Sequence, residues 1–295
     1  MYACLDIGGT SIKVAIADEN GNLFSKDTLF VSHKLENFIN AIVSWVEKMK
    51  LQYDIKGIAI SSPGAVNTKT GIVGGDSAVP CIHGPNWKEV LGGKLGLPVS
   101  IENDANCAAL AEAFSGSGKE FKDMMFVVCG TGIGGAIVKE GKIHHGKHLH
   151  GGEFGFMIMQ EEDGEFKNFS EVASTMSFVR KVREYYNDDS WDGEKVFKAA
   201  ENGDEICIDV IDRFYMNLAK GIFNLQHIYD PEIILLGGAI SNREDFIEKI
   251  NEKMDYLRGK ISIATIKPQL DTCTHKKDAN LVGALAHHLE EKIVY

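Results

Sequence analysis

The feature that most constrains the fold is a pattern that occurs twice: a buried strand, a glycine-rich loop, a second strand and a tight turn. Residues 2–7 lead into Gly8-Gly9-Thr10 and a strand at 12–18. Residues 124–130 lead into a loop of the same kind and a strand at 136–138. Glycine turns between apolar strands predict antiparallel hairpins. The recurrence indicates an α/β protein with two related lobes.

The other apolar periodicities alternate between strand and helix spacing. They predict strands at 22–31, 55–61, 99–102, 232–236 and 261–266, and helices at 35–50, 105–115, 170–186, 205–229 and 278–293. Ser241 and Glu244 match a capping box, which predicts a helix that begins there and runs to about residue 257.

The length of 295 residues predicts two domains, at roughly 100–200 residues each. The small residues Ser115-Gly116-Ser117-Gly118 favour a boundary near residue 116. We therefore expect a smaller lobe of residues 1–116 and a larger lobe of residues 117–279. A C-terminal helix of about residues 280–295 is expected to pack back on the smaller lobe.

Net charge restricts the partners that the chain can bind, and cysteine usage indicates its redox environment. A formal net charge of −11 argues against binding nucleic acid through its phosphates, which needs clustered Lys and Arg. No apolar run reaches the roughly 18 residues of a membrane span, and residues 1–6 do not resemble a signal peptide. The six cysteines are scattered without a CxxC pair, which is typical of reduced thiols. We therefore expect a cytoplasmic protein that binds neither nucleic acid nor membrane.

Three glycine-rich loops are candidates for phosphate binding: Gly8-Gly9-Thr10, Gly130-Thr131-Gly132-Ile133-Gly134-Gly135 and Gly237-Gly238. Glycine lets backbone N–H groups approach a phosphate, although each loop by itself is also typical of a tight hairpin. The second loop matches GxGxxG, but strand and turn residues follow it where a dinucleotide-binding fingerprint needs a helix. Gly116-Ser117-Gly118-Lys119 lacks the other residues of a Walker loop, so any phosphate is held in another way.

The segment Glu102-Asn103-Asp104-Ala105-Asn106 lies where a strand gives way to a helix, and open α/β sheets bind ligands at such strand ends. Asp104 is a candidate base for a substrate hydroxyl, or a helix N-cap. Asn103 could bond to sugar hydroxyls. Asp6 could hold Mg²⁺ through water, or cap a turn. The four histidines of residues 144–153 are more typical of a solvated loop than of a metal site.

These motifs together resemble the ROK family (repressors, open reading frames and sugar kinases). The matching segments cover nearly the whole chain in the family's order: Asp6-Ile7-Gly8-Gly9-Thr10-Ser11-Ile12-Lys13, Ser62-Pro63-Gly64, the segment 102–106, the loop 130–135, Gly152-Glu153-Phe154-Gly155 and Leu236-Gly237-Gly238. The resemblance implies a two-lobed actin-like (ribonuclease-H-like) ATPase fold, with ATP in the interlobe cleft and the sugar against the smaller lobe. It also implies Mg²⁺, a homodimer, and phosphorylation of a primary hydroxyl, O6 of a hexose or hexose derivative. A β-glucoside, glucose and N-acetylmannosamine are the candidate substrates.

The resemblance assigns roles to individual positions. Asp104 matches the catalytic base, and the positions that match sugar contacts are Asn103, Glu153, Glu171, Gly64 and Asn86, the last beside Trp87 in a segment that closes over the sugar. The positions that match the nucleotide side are Asp6, Gly8, Gly9, Thr10, Lys13, Gly130, Thr131, Gly132, Gly237 and Gly238. Of these, Asp6 matches the residue near Mg²⁺. For Trp87, a buried aromatic residue is an equally good interpretation.

The chain departs from the family at two places. Phe156 stands where most members have a histidine, and residues 157–170 lack the CxCGxxGC run that follows it. We therefore expect no structural zinc, and an apolar surface at Phe156 that suits a substituent or a second sugar ring.

Three alternative functions stay open: a non-catalytic sugar sensor, a nicotinamide oxidoreductase, and an actin-like ATPase that acts on protein. The presence of Asp104 and of both phosphate loops counts against the sensor. The hairpin after GxGxxG counts against the oxidoreductase. The hydroxyl-binding candidates Asn103, Glu153 and Glu171 favour a small substrate over a protein.

Overall fold

Strands and helices alternate through the chain largely where the apolar periodicity predicts them. The computed structural model describes residues 1–30, 32, 34–75, 77–261 and 263–293. The strands are β1 Tyr2–Ile7, β2 Ser11–Ala17, β3 Leu23–Phe30, β4 Ile58–Ser62, β5 Ala65–Asn67, β6 Ile72–Gly74, β7 Val99–Asn103, β8 Met124–Cys129, β9 Ile133–Lys139, β10 Lys142–Ile143, β11 Ile158–Glu162, β12 Glu165–Asn168, β13 Ile233–Gly237 and β14 Leu270–Thr272. The helices are α1 Leu35–Lys50, α2 Trp87–Leu95, α3 Asp104–Ser115, α4 Phe169–Ala173, α5 Thr175–Tyr186, α6 Gly193–Glu201, α7 Glu205–Tyr229, α8 Phe246–Lys260 and α9 Ala279–Ile293.

The chain folds as two units. Unit 1 comprises Met1–Glu120, Gly141–Gly151 and Thr274–Tyr295, and unit 2 comprises Phe121–Glu140 and Gly152–Cys273. Both units contain an antiparallel hairpin around a glycine loop, β1–β2 in unit 1 and β8–β9 in unit 2. The predicted recurrence of this hairpin is therefore confirmed.

The sheet of unit 1 has the strand order β3-β2-β1-β4-β7. Strands β1, β4 and β7 run parallel, so their carboxyl ends meet at one edge, where ligands of open α/β sheets bind. Helix α1 packs an apolar face of Phe38, Ile42 and Val46 into the core, as its 3.6-residue spacing predicts. Helix α9 contacts β1, β4, β7 and α3.

Within unit 2 the strands follow the order β9-β8-β13-β14, with β8, β13 and β14 parallel. The carboxyl ends of β8 and β13 share an edge, because Val128 pairs with Gly237. Helices α5, α6 and α7 cover the core of this unit through Phe178, Phe197 and Phe214, which meet edge to face.

The predicted helix over 170–186 is wrong at one point, because Ser174 has extended backbone angles and divides it into α4 and α5. Tertiary hydrogen bonding explains the break. The Thr175 N–H donates to the Gly130 carbonyl at 2.9 Å and so leaves the helical ladder. Local spacing cannot predict a bond to a residue so distant in sequence.

The predicted capping box at Ser241 and Glu244 is also wrong. Ser241 lies in a 3₁₀ turn, where its hydroxyl donates to the Gly238 carbonyl at 2.8 Å, and α8 begins only at Phe246. The extended backbone of Arg243 separates the turn from the helix.

The predicted strand over 261–266 is wrong as well. Residue 262 lies outside the described residues, and 263–269 form no strand in the structure. The strand of this region is β14, which pairs with β13 through Ile234 and Leu270.

Candidate active site

The carboxyl ends of the three parallel strands of unit 1 bring distant polar residues into one row. Asp6 pairs with Ser61 in register, and Ser61 pairs with Glu102. Asp6 is only 6% exposed, and its side chain accepts hydrogen bonds from Ser61 Oγ at 3.1 Å and Asn280 Nδ2 at 2.9 Å. Lys13 Nζ lies 3.2 Å from its other oxygen. A carboxylate with these three donors keeps room for one more, such as a water on a metal ion.

Asn103 caps helix α3, so the N-cap interpretation of Asp104 is wrong. Asn103 Oδ1 accepts from the backbone N–H groups of Ala105 at 2.9 Å and Asn106 at 3.1 Å, while its Nδ2 donates to the Gly64 carbonyl at 3.0 Å. An amide group carries two N–H donors, so Nδ2 of Asn103 has a second N–H besides the one that bonds to Gly64. Asp104 is the first helical residue and is partly exposed, with Oδ1 2.8 Å from the Ala105 N–H. Its position at a strand end and its partial exposure are compatible with a general base.

Gly64 and Asn86 each have a structural role that does not depend on a ligand: Gly64 fits a backbone turn and Asn86 caps a helix. Gly64 has φ of +95°, and a Cβ there would come within 2.9 Å of the Gly74 carbonyl oxygen. Asn86 caps helix α2, because its side chain accepts from the Glu89 N–H at 3.2 Å. Trp87 is buried, donates to the Ile82 carbonyl at 2.9 Å and cannot stack on a ligand without leaving the core. The buried-aromatic interpretation therefore applies to Trp87.

The first glycine loop of unit 1 presents backbone to solvent. Gly8 is partly exposed, and Gly9 and Thr10 are exposed. The Gly8 N–H bonds to the Ser11 carbonyl at 2.9 Å, which closes the hairpin turn. Lys13, at the third position of the strand that follows the loop, carries its half-exposed charge beside Asp6.

Two glycine loops meet at the shared strand edge of unit 2. Gly238 has φ of +99°, and a Cβ on it would lie 2.0 Å from the Cys129 carbonyl oxygen, so only glycine fits there. Thr131 is exposed, and space is open around the Cα of Gly130. A Cβ on Gly132 would come 3.3 Å from Ser170 Oγ. The edge can therefore bring backbone close to a ligand, as a phosphate cradle must.

The candidate sugar contacts Glu153 and Glu171 belong to unit 2. Ser170 holds both of their segments near the second glycine loop: its hydroxyl accepts from the Ile133 N–H at 2.9 Å, and Gly155 packs against it. Glu171 forms a capping box with Asn168, whose backbone N–H donates to it at 2.8 Å. Both carboxylates are exposed, so each retains oxygen atoms for hydroxyl groups.

A cavity of about 600 Å³ in unit 2 was missed by the sequence analysis. Its walls include Thr175, Phe197, Ile240 and Arg243. The Arg243 guanidinium lies 4.0 Å from the centre of the Phe197 ring and bonds to Asp245 at 3.0 Å. The only sequence signal was the Gly237-Gly238 motif just before the turn that carries Ile240. A planar guanidinium held over an aromatic ring suits a planar heterocycle.

The histidine-rich loop is not uniformly solvated. His145 Nε2 lies 2.6 Å from Glu102 Oε2, and His150 Nδ1 lies 2.7 Å from the His148 carbonyl oxygen. Among the residues that the structure describes, no cluster of three or more His, Cys, Asp or Glu side chains is arranged to hold a metal ion. Over the same residues, no helix is both long and apolar enough to cross a bilayer.

Known proteins resemble the chain over nearly its whole length. The sequence profile of the ROK family matches residues 2–291. A β-glucoside kinase of Listeria monocytogenes is 33% identical over 300 residues, which cover 98% of each chain. A ROK family protein from Streptococcus pneumoniae, solved in complex with sucrose, superposes with a TM-score of 0.92 at 39% identity and covers 100% of this chain and 99% of that one.

A ROK family glucokinase from Streptomyces griseus, solved with glucose and AMPPNP, has a TM-score of 0.78 at 25% identity, covering 96% of this chain and 97% of its own. These structures confirm the predicted fold class, the actin-like (ribonuclease-H-like) α/β fold. The named kinases among the relatives belong to the predicted enzyme class, carbohydrate kinases.

Proposed function

The chain belongs to the ROK family, and we propose that it is an ATP-dependent sugar kinase that phosphorylates O6 of a hexose or hexose derivative. The observation that carries the proposal is the position of Asp104, a partly exposed carboxylate at the first turn of α3 and at the end of β7. Asn103 fixes the turn before it through the helix cap and the bond to Gly64.

Asp104 is proposed to accept the proton of the substrate hydroxyl as that oxygen forms its bond to phosphorus and the bond to the leaving ADP breaks. A positioned base of this kind contributes about 10²- to 10⁴-fold to a rate. Phosphoryl transfer needs little other covalent chemistry from the protein, because positioning and charge neutralisation supply most of the acceleration.

The sugar hydroxyls are proposed to bond to Asn103, Glu153 and Glu171, with Gly64 and Asn86 bordering the substrate. The remaining amide N–H of Asn103 and the exposed carboxylate oxygens of the two glutamates support this assignment. Carboxylate oxygens accept hydrogen bonds from hydroxyl groups well. Several such contacts would select a small molecule that is rich in hydroxyl groups.

The nucleotide is proposed to bind through the glycine loops and the cavity of unit 2. Backbone N–H groups and hydroxyls of two exposed loops, Gly8-Gly9-Thr10 and Gly130-Thr131-Gly132, would hold phosphates, and Lys13 would meet their charge. The cavity beside Gly237-Gly238, with its Phe197 and Arg243 wall, suits the adenine base. Asp6 fits a water-mediated contact to Mg²⁺, which when bound would neutralise phosphate charge.

Among the candidate substrates, a β-glucoside is proposed ahead of glucose and N-acetylmannosamine. Phe156 is 71% exposed and lies at the end of the 3₁₀ turn that begins next to Glu153. An exposed aromatic ring there offers stacking surface for the second ring of a glucoside. The β-glucoside kinase relative supports the same substrate class.

The lobe boundaries at residues 116 and 279, the homodimer and the cytoplasmic location stay predictions. Size-exclusion chromatography with light scattering measures the oligomeric state directly.

The proposed activity is tested by ADP release with Mg·ATP across cellobiose, aryl β-glucosides, glucose and N-acetylmannosamine. Asp104→Asn should lower kcat by about 10²- to 10⁴-fold with a smaller change in sugar KM. The matched control is Asp54→Asn, an exposed aspartate of the same unit, which should keep full activity. Sugar binding by folded wild-type protein without sugar-dependent ADP release would contradict the kinase and favour the sugar sensor.

A further inference from the structure

Glu102 is a fully buried carboxylate directly before the Asn103-Asp104 turn, with a side-chain exposure of 0%. Its Oε1 accepts from the Asn103 backbone N–H at 2.7 Å and from Asn106 Nδ2 at 3.0 Å. These two partners precede and follow Asp104 in the chain. The orientation of the Glu102 carboxylate therefore sets the position of the backbone that carries Asp104.

The other oxygen of Glu102 is held by His145, whose Nε2 lies 2.6 Å away. His145 comes from the loop after β10, and its own carbonyl accepts from the Gly151 N–H at 2.9 Å. A buried carboxylate is stable only when opposite charge and hydrogen bonds compensate its lost hydration. The other histidine close to Glu102, His287 of α9, is 3.9 Å away and beyond hydrogen-bond distance.

We propose that His145 is a positioning residue of the phosphoryl transfer, which acts through Glu102 to hold Asp104 in the orientation that accepts the proton. The inference rests on the proposed kinase activity. It gives a role to a histidine that the motif analysis left without one.

The electrostatics of the pair support this role. Burial opposes ionisation of Glu102, but the His145 hydrogen bond and the nearby histidines outweigh it and hold the pKa of the carboxyl below its usual value. The hydrogen bond to Glu102 raises the pKa of His145 above 6.5, with a smaller contribution from the charge of Glu290. The ion pair is therefore favoured on the acid side of the raised pKa of His145, and it is lost as the pH rises through that pKa.

Other titratable groups surround the pair on every element packed against it. They are His287, Glu290 and Glu291 on α9, Cys107 and Asp104 on α3, Lys88 beside Glu291 and Lys142 beside Glu290. Of these titratable groups, His145 forms the hydrogen bond to the second oxygen of Glu102. The pKa of His145 is also raised from an ordinary value that is already near neutrality. Its deprotonation should therefore produce an alkaline limb in the pH profile.

The test is kcat/KM of the full-length enzyme between pH 6 and 9.5, with phosphorylated sugar measured directly by chromatography. Wild type should lose about tenfold or more across the alkaline limb, since small misplacements of a catalytic group are costly. His145→Gln keeps an N–H donor that does not titrate, so its profile should be flat on that side. His144→Gln, at an exposed neighbouring histidine, is the matched control and should keep the wild-type limb.

His145→Ala should lower kcat/KM about 10- to 100-fold near neutral pH and by less at the alkaline end, where wild type has itself lost the ion pair. Thermal unfolding of each variant verifies the fold. If His145→Ala does not fold, His145→Gln carries the test. An alkaline limb in His145→Gln equal to that of wild type would overturn the inference. So would an equal loss at every pH in both variants, since that is the signature of a merely structural residue. A wild type that phosphorylates no sugar would overturn the proposed function itself, and this is seen before any variant is made.

Discussion

Glu112 is expected to contribute strongly to the stability of unit 1. Its side chain is fully buried near the end of α3, where the chain is about to leave unit 1 after Glu120. Oε2 accepts from the Ser117 N–H at 2.9 Å and the Thr274 N–H at 3.0 Å, and Oε1 accepts from the His275 N–H at 2.9 Å. One carboxylate thus ties the departing segment to the segment on which the chain returns.

The magnitude for Glu112→Gln follows from these three bonds. An amide keeps one acceptor oxygen, so two bonds become neutral and lose about 1 kcal/mol each. Its NH₂ group then faces the third backbone N–H, which is left unsatisfied for about 1–3 kcal/mol. The sum is roughly 3–5 kcal/mol, a large part of the ordinary stability of a domain.

The assay is amide hydrogen exchange by mass spectrometry, because a chain of two units need not unfold in one step. A local loss of about 3 kcal/mol raises exchange about 10²-fold in the peptides that contain Ser117 and Thr274. Glu120→Gln is the control. Glu120 is 80% exposed and its one ion pair, with Lys119 at 3.8 Å, is a weak surface contact among the described residues, so this substitution should change amide exchange little. Protection in Glu112→Gln within about threefold of wild type would refute the reasoning.

Two other substitutions test the glycine edge of unit 2 and the exposed aromatic residue. Gly238→Ala places a Cβ 2.0 Å from the Cys129 carbonyl oxygen at a φ of +99°, and should lower the free energy of unfolding in urea by about 3 kcal/mol or more. Gly259→Ala in α8, where nothing lies within 4 Å, should instead be neutral or stabilise by up to about 1 kcal/mol, and equal effects of the two changes would contradict the steric argument. Phe156→Ala should leave Tm and glucose phosphorylation nearly unchanged but lower kcat/KM for cellobiose about tenfold, because only a second ring would reach the aromatic surface. An equal loss for both sugars would contradict a role in glucoside binding.

Much of the secondary structure was predictable because its causes are local. Helix α1 lies over 35–50 as predicted, since its apolar residues follow a 3.6-residue period. The hairpins around Gly8 and Gly130 also follow from short-range signals, namely apolar strands and glycine turns. The family assignment rested on the same short motifs and is confirmed by a match over residues 2–291.

The errors arose where a distant partner outweighed local preference. Ser174 breaks a well-patterned helix because Thr175 bonds to Gly130, and Ser241 bonds to the Gly238 carbonyl where a capping box was predicted. The N-cap of α3 is Asn103, one residue before the candidate Asp104. The Asn103 side chain accepts from the helix N–H of Ala105 and also donates to the Gly64 carbonyl. Each case is a choice between two acceptable local structures, and packing makes that choice.

By itself, the sequence determined the family, the fold class and the position of Asp104 at a strand end. All three follow from short contiguous motifs, in which the turn residues and the apolar periodicity depend only on neighbours a few residues away. Only the tertiary structure decided which side chains hold that site. Glu102 and His145 are 43 residues apart, and Asp6 and Asn280 are 274 apart. The physical reason is that a buried carboxylate bonds to whichever donors the packed elements bring within hydrogen-bond distance. The spacing of residues along the chain does not show which distant residues those are.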